Sequence, residues 1–99
     1  MKVIIENGNP VVAHLQGRLD TAAAAEVTPD FQALAEQADQ HIILDCSELE
    51  YISSSGLRLF LGLRKASAAK GGKLQVSNIN NDIRQVFMMT GFISLFEIV

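Results

Sequence analysis

Three consecutive serines, Ser53, Ser54 and Ser55, stand directly ahead of Gly56, and Arg58 follows two residues later. Capping a helix takes one hydroxyl, so a run of three raises the question of a second task. The chemistry open to a serine at a helix start is phosphorylation. Free backbone N–H groups and the partial positive charge of the helix end favour a phosphate there. Arg58, one turn beyond Ser55, is placed to pair with it. If residues 55 to 69 are helical, Ser55, Arg58, Gly62, Lys65 and Ala69 lie on one side, by steps of three and four. Leu57, Leu59, Phe60, Leu61 and Leu63 then lie elsewhere on the barrel. A stripe of small and basic residues leaves room for another protein. The plainer alternative is that Ser53 or Ser54 caps the helix and the other serines fill a polar loop. The length of the run, the glycine after it and the stripe beneath it weigh against that alternative.

Other reactive residues offer less. There is no Walker-type loop and no GxGxxG. The run is not a nucleophile elbow, because Ser53 stands where that turn needs glycine. His14 and His41 read as packed or surface residues without catalytic partners. Asp20 and Asp45 are expected to share the carboxyl end of the sheet with Ser55, yet two carboxylates and no nearby His make a poor metal site. Cys46 reads as a small core residue, and Met88 and Met89 as core or helix-end packing. No catalytic residue, metal or cofactor is therefore expected.

These residues need a frame. The chain has 99 residues, 48% of them hydrophobic and 19% charged, which is the composition of one folded domain over 1–99. A net charge of −3 gives no electrostatic reason to expect nucleic acid or an anionic membrane as partner. The small basic group Arg58, Arg64, Lys65 and Lys70 reads as a solvated helix face. One cysteine cannot form an internal disulfide, in keeping with a reducing compartment. The opening "MKVIIENGNP" is too short and polar for a signal peptide. No apolar run approaches the roughly 20 residues of a membrane span. A cytoplasmic protein is expected.

Residues 2 to 6 and 11 to 17 read as strands joined by the Asn-Gly turn of "NGNP", an antiparallel hairpin. Residues 22 to 38 read as a helix capped by Asp20 or Thr21, with a kink or break near 28 because Pro29 removes a hydrogen bond. "HIILDCS", 41 to 47, suits a buried strand ending near Asp45. Residues 54 to 69 read as a helix stopped by Gly71 and Gly72, and 73 to 78 as a strand. "NNDIRQVFMMTG" reads as a helix capped by Asn80 or Asn81, with Ile83, Val86 and Phe87 inward and Gly91 at its end. "LFEIV" is a short last strand. The order β-β-α-β-α-β-α-β implies an α/β fold. Its sheet is mixed but mostly parallel, with an N-terminal antiparallel hairpin and helices packed on it. The serines then fall at the carboxyl end of a strand, where sites form in open parallel sheets.

Three ordered blocks resemble the STAS domain family, named for sulphate transporters and anti-sigma factor antagonists. They are "GRLD" at 17–20, "HIILDCSELEYISSSGLRLFLGLRKASAAKGGKL" at 41–74 and "NDIRQVFMMTGF" at 81–92. The resemblance spans almost the whole chain. It implies a STAS-like fold without catalysis of its own. It also implies docking on an anti-sigma factor that is a serine kinase, which releases the sigma factor. The kinase phosphorylates the serine directly before the glycine, here Ser55, and docking is lost. A serine phosphatase of the partner-switching type restores it. Asp20 matches the acidic residue near the docking surface. Taken together with the helix stripe read above, the expected partner surface comprises Asp20, Ser53, Ser54, Ser55, Gly56, Arg58 and Gly62. One departure stands out. Many phosphorylated members carry Asp-Ser-Ser-Gly, whereas this chain has Ser53-Ser54-Ser55-Gly56, which leaves Ser54 as a second candidate acceptor.

Three functions follow in order of preference. The first is a phosphorylation-controlled anti-sigma factor antagonist. The second is a STAS interaction subunit of a lipid-transport ABC complex, without phosphorylation. The third is a small enzyme or nucleotide binder.

Overall fold

The computed structural model describes all 99 residues. The hairpin forms as expected: β1 (Lys2–Glu6) runs antiparallel to β2 (Val11–Leu19). Then follow α1 (Thr21–Glu36), β3 (His41–Ile52), α2 (Ser54–Lys70), β4 (Lys73–Ser77) and α3 (Asn81–Thr90). A short 3-10 turn (Phe92–Ser94) and the two-residue β5 (Glu97–Ile98) close the chain. The five strands lie in sequence order, β1-β2-β3-β4-β5, parallel from β2 onward. Each parallel pair is joined through a helix, and crossovers of one hand in a sheet that always grows the same way put every helix on one face. Burial agrees. Val11, Ala13 and Leu15 of β2 and Ile42, Leu44 and Cys46 of β3 are sealed, whereas their alternate neighbours are partly exposed. The result is two layers, with one helical face and one open face on the sheet.

Between the layers all five phenylalanines meet. Phe60 of α2 stands 5.9 Å from Phe31 of α1, 6.1 Å from Phe87 of α3 and 6.2 Å from Phe96. Phe92 stacks on Phe96 at 5.8 Å. One ring thus touches rings from both other helices and from the approach to the last strand.

The helix caps follow the sequence. Asp20 and Asn80 accept from Ala23 N and Ile83 N at 2.8 Å each. Gly71 and Gly91 adopt the left-handed conformation that ends α2 and α3.

Five expectations are corrected. α1 runs through Pro29 without a break. Pro29 and Ala25, four residues before it, are both exposed, so water can satisfy the carbonyl that proline leaves unbonded. β2 continues to Leu19 rather than Gly17, and β3 runs to Ile52 rather than ending near Asp45. β5 is shorter than "LFEIV". Met88 and Met89 are not packed: they are 61% and 86% exposed on α3.

The length of β3 has a specific cause. His14 pairs with Asp45 and Leu19 with Ile52, so five steps along β2 match seven along β3. Two extra residues are absorbed at two register shifts. Buried positions therefore fall at Cys46, Leu49 and Ile52, a spacing of three.

Candidate functional site

The site is built where β2 and β3 end side by side. Leu19 and Ile52 are register partners, and Ser53 N donates to Leu19 O at 2.9 Å. The next residues, Asp20 and Ser53, cap α1 and α2, so two helix N-termini stand next to each other at one sheet end. The α3 start is tied to the same region, because Asn80 Nδ2 donates to Leu49 O at 3.0 Å.

The serines divide their work. Ser53 is the cap; its Oγ accepts from Gly56 N at 3.2 Å. Ser54 is exposed and Ser55 half-buried in the first turn of α2. No buried side-chain oxygen or nitrogen in the molecule lacks a hydrogen-bond partner. The Ser55 hydroxyl has no such partner within the chain and so reaches solvent. α2 carries no acidic residue in its first turn. Arg58, exposed one turn below Ser55, has no carboxylate within ion-pair reach, since both ion pairs of the molecule belong to His14.

The two glycines of this stripe differ. Gly56 was expected on the partner surface but is buried. A Cβ there would stand 2.7 Å from Leu19 Cγ and 2.9 Å from Ile52 Cγ1. Its lack of a side chain lets α2 begin directly against the ends of β2 and β3. Gly62 is exposed, and a Cβ there would meet nothing within 4 Å. It opens a groove of about 180 Å³ between α1 and α2, lined by Phe31, Ala35, Arg58 and Leu59 among others. The contribution of α1 to this groove was missed in the sequence, because apolar residues four apart, such as Phe31 and Ala35, fit a core-facing helical stripe equally well. The same substitution should therefore act in opposite directions. Gly56→Ala is expected to destabilise by about 1–3 kcal/mol through overpacking. Gly62→Ala is expected to stabilise by about 1 kcal/mol through helix propensity. Urea denaturation of the two variants checks the signs.

Asp45 does not join this site. It lies seven residues before Ile52, on the open face. There it accepts from Asn78 Nδ2 at 3.1 Å and from Ser47 N and Oγ at 3.1 and 3.2 Å. His14 is not the partnerless residue it resembles in the sequence. Its Nδ1 lies 2.7 Å from Asp45 Oδ2 and its Nε2 2.6 Å from Glu6 Oε1. Two carboxylates facing both ring nitrogens call for two N–H donors, hence imidazolium. The Asp45 hydrogen bond, opposed by burial and helped by Glu6, raises the His14 pKa above its ordinary value. Burial pushes Asp45 up, but the hydrogen bonds from Asn78, His14 and Ser47 outweigh it and hold the carboxyl below the usual range. The raised imidazole pKa stabilises the fold fully below about pH 6.5, and that contribution is lost as pH rises through the folded value. The depressed Asp45 pKa acts oppositely, its contribution disappearing as acid protonates the folded carboxylate. The thermal midpoint should therefore decline upward from about pH 6.5. In His14→Gln that decline should flatten, as calorimetry over a pH series would read.

Cys46 is sealed in the core, and burial pushes its thiol up to about 12. It is no nucleophile at neutral pH. No cluster of three or more His, Cys, Asp or Glu is arranged to hold a metal ion. No helix is long and apolar enough to cross a membrane.

The family model described as "STAS domain" matches residues 1–99. The chain belongs to the STAS domain family. Among its relatives, BtrV of Bordetella bronchiseptica is 32% identical over 88 residues, covering 89% of this chain and 76% of BtrV. The anti-sigma-B factor antagonist of Bacillus subtilis is 30% identical over 94 residues, covering 94% and 84%. Among solved structures, the Bacillus cell fate determinant SpoIIAA in its phosphorylated form superposes with a TM-score of 0.73 at 25% identity. That match covers 99% of this STAS chain and 91% of SpoIIAA.

Proposed function

We propose that this STAS protein is an anti-sigma factor antagonist without catalytic activity of its own, working in the cytoplasm. It docks on an anti-sigma factor of the serine-kinase type through the α2 N-terminus, with Asp20, Ser53, Ser54, Arg58 and Gly62 around Ser55. Phosphorylation of Ser55 by that kinase ends docking, and a serine phosphatase restores it. The observation that carries this reading is the division of labour among the serines. Ser53 caps the helix, which leaves the Ser55 hydroxyl without a structural duty at a helix end that favours phosphate. Gly62 supports it too: glycine in an exposed helix interior costs about 1 kcal/mol, and no neighbour requires it. A relative named anti-sigma-B factor antagonist and the phosphorylated form of SpoIIAA point the same way.

Incubation with the partner kinase and ATP, followed by peptide mass spectrometry, tests the site. Phosphate is expected on Ser55 and absent from Ser55→Ala. Phosphate confined to Ser54, or none at all, would refute the assignment.

A further inference from the structure

We propose that the outer edge of β1 is a self-complementary surface that pairs with the same edge of a second copy of this chain. β1 is the first strand of the sheet and is hydrogen-bonded only to β2. Its five residues pair with β2 in unbroken register, with no proline or bulge to blunt the far edge. The sequence of that strand is Lys-Val-Ile-Ile-Glu. Antiparallel pairing of two copies about Ile4 sets Ile4 opposite Ile4. It sets Lys2 opposite the second copy's Glu6, and Val3 opposite the second copy's Ile5. Every cross-strand pair is then apolar or oppositely charged, the combinations that stabilise antiparallel ladders.

The faces agree as well. Val3 and Ile5 pack against the core on the helical side, so their cross-copy pairs extend it. Lys2, Ile4 and Glu6 alternate with them on the open face, where Ile4 is 37% exposed. Glu6 Oε1 lies 2.6 Å from His14 Nε2, which holds the carboxylate on that face and leaves Oε2 for a lysine. The Ser55 site follows β3, two strands in from the joined edge, so both copies keep it accessible. The opposite edge offers no equivalent, since β5 has only two residues.

Sedimentation equilibrium across a concentration series tests the pairing. The native chain is expected to dimerise. Lys2→Glu turns both charge pairs into Glu–Glu repulsions and should weaken association by about tenfold or more. Glu6→Lys should do the same with Lys–Lys pairs. The double variant Lys2→Glu/Glu6→Lys restores complementarity and should recover the dimer. Circular dichroism on each variant reports the fold independently, and the Lys2 side chain, across from Gln16 in the ladder, takes part in neither ion pair of the molecule. A chain monomeric up to about 1 mM, a Lys2→Glu dimer as tight as the native one, or a folded double variant that stays monomeric would each overturn the proposal.

Discussion

Ser55→Asp is expected to weaken docking on the anti-sigma factor by about a hundredfold to a thousandfold, roughly 2.7–4.1 kcal/mol, read as Kd by isothermal titration calorimetry. A phosphate adds about 1.5 to 2 negative charges, and the Asp carboxylate supplies one. Buried against a partner without a cation to meet it, such a charge costs several kcal/mol. The free domain should respond in the opposite direction. Ser55 lies in the first turn of a helix with no acidic residue there, so a carboxylate gains about 0.3–1 kcal/mol from the helix dipole. The thermal midpoint should hold or rise while affinity collapses. Unchanged Kd would refute the switch. A fall in both would show instead that the substitution damages the fold.

Phe60→Ala is expected to cost about 3–5 kcal/mol, a large share of the roughly 5–15 kcal/mol that a small domain has. Phe60 is fully buried, and its ring meets those of Phe31, Phe87 and Phe96. Truncation opens a cavity where α1, α2 and α3 converge, and no neighbour can fill it without leaving its own contacts. Urea denaturation should show a lower midpoint with an unchanged slope. Met89→Ala, at an 86% exposed position, serves as the comparison and should shift stability by no more than about 0.5 kcal/mol. A Phe60→Ala loss below about 1 kcal/mol would contradict the cluster's role.

What could be read from the sequence depended on local rules. The Asp20 and Asn80 caps, the Gly71 and Gly91 stops and the "NGNP" hairpin were legible because each depends on a few adjacent residues. The end of β3 was not. Its period-three burial from Cys46 to Ile52 arises from two extra residues matched against β2, and strand patterns are recognised by a period of two. The Pro29 break was wrong because solvent exposure of the Ala25 turn decides that case, and exposure is tertiary. The placement of Ser55 at a strand-to-helix junction was legible. The duties of Gly56 and of His14 were not, because Leu19, Glu6 and Asp45 reach them only through the sheet. The same holds for the α1 wall of the groove.

The three helix starts differ in one respect. α1 is capped by the carboxylate of Asp20 and α3 carries Asp82 in its first turn, whereas α2 has only serines. Ser53 offers no carboxylate here, so a phosphate arriving at Ser55 would meet no resident anion within its own helical turn, although the Asp20 cap of α1 stands at the same end of the sheet. The modified domain would then rest in a comfortable state. Serine phosphate esters hydrolyse extremely slowly unaided. Under the proposed switch, a domain built this way would store a memory of its last encounter with the kinase and keep it until an enzyme erased it.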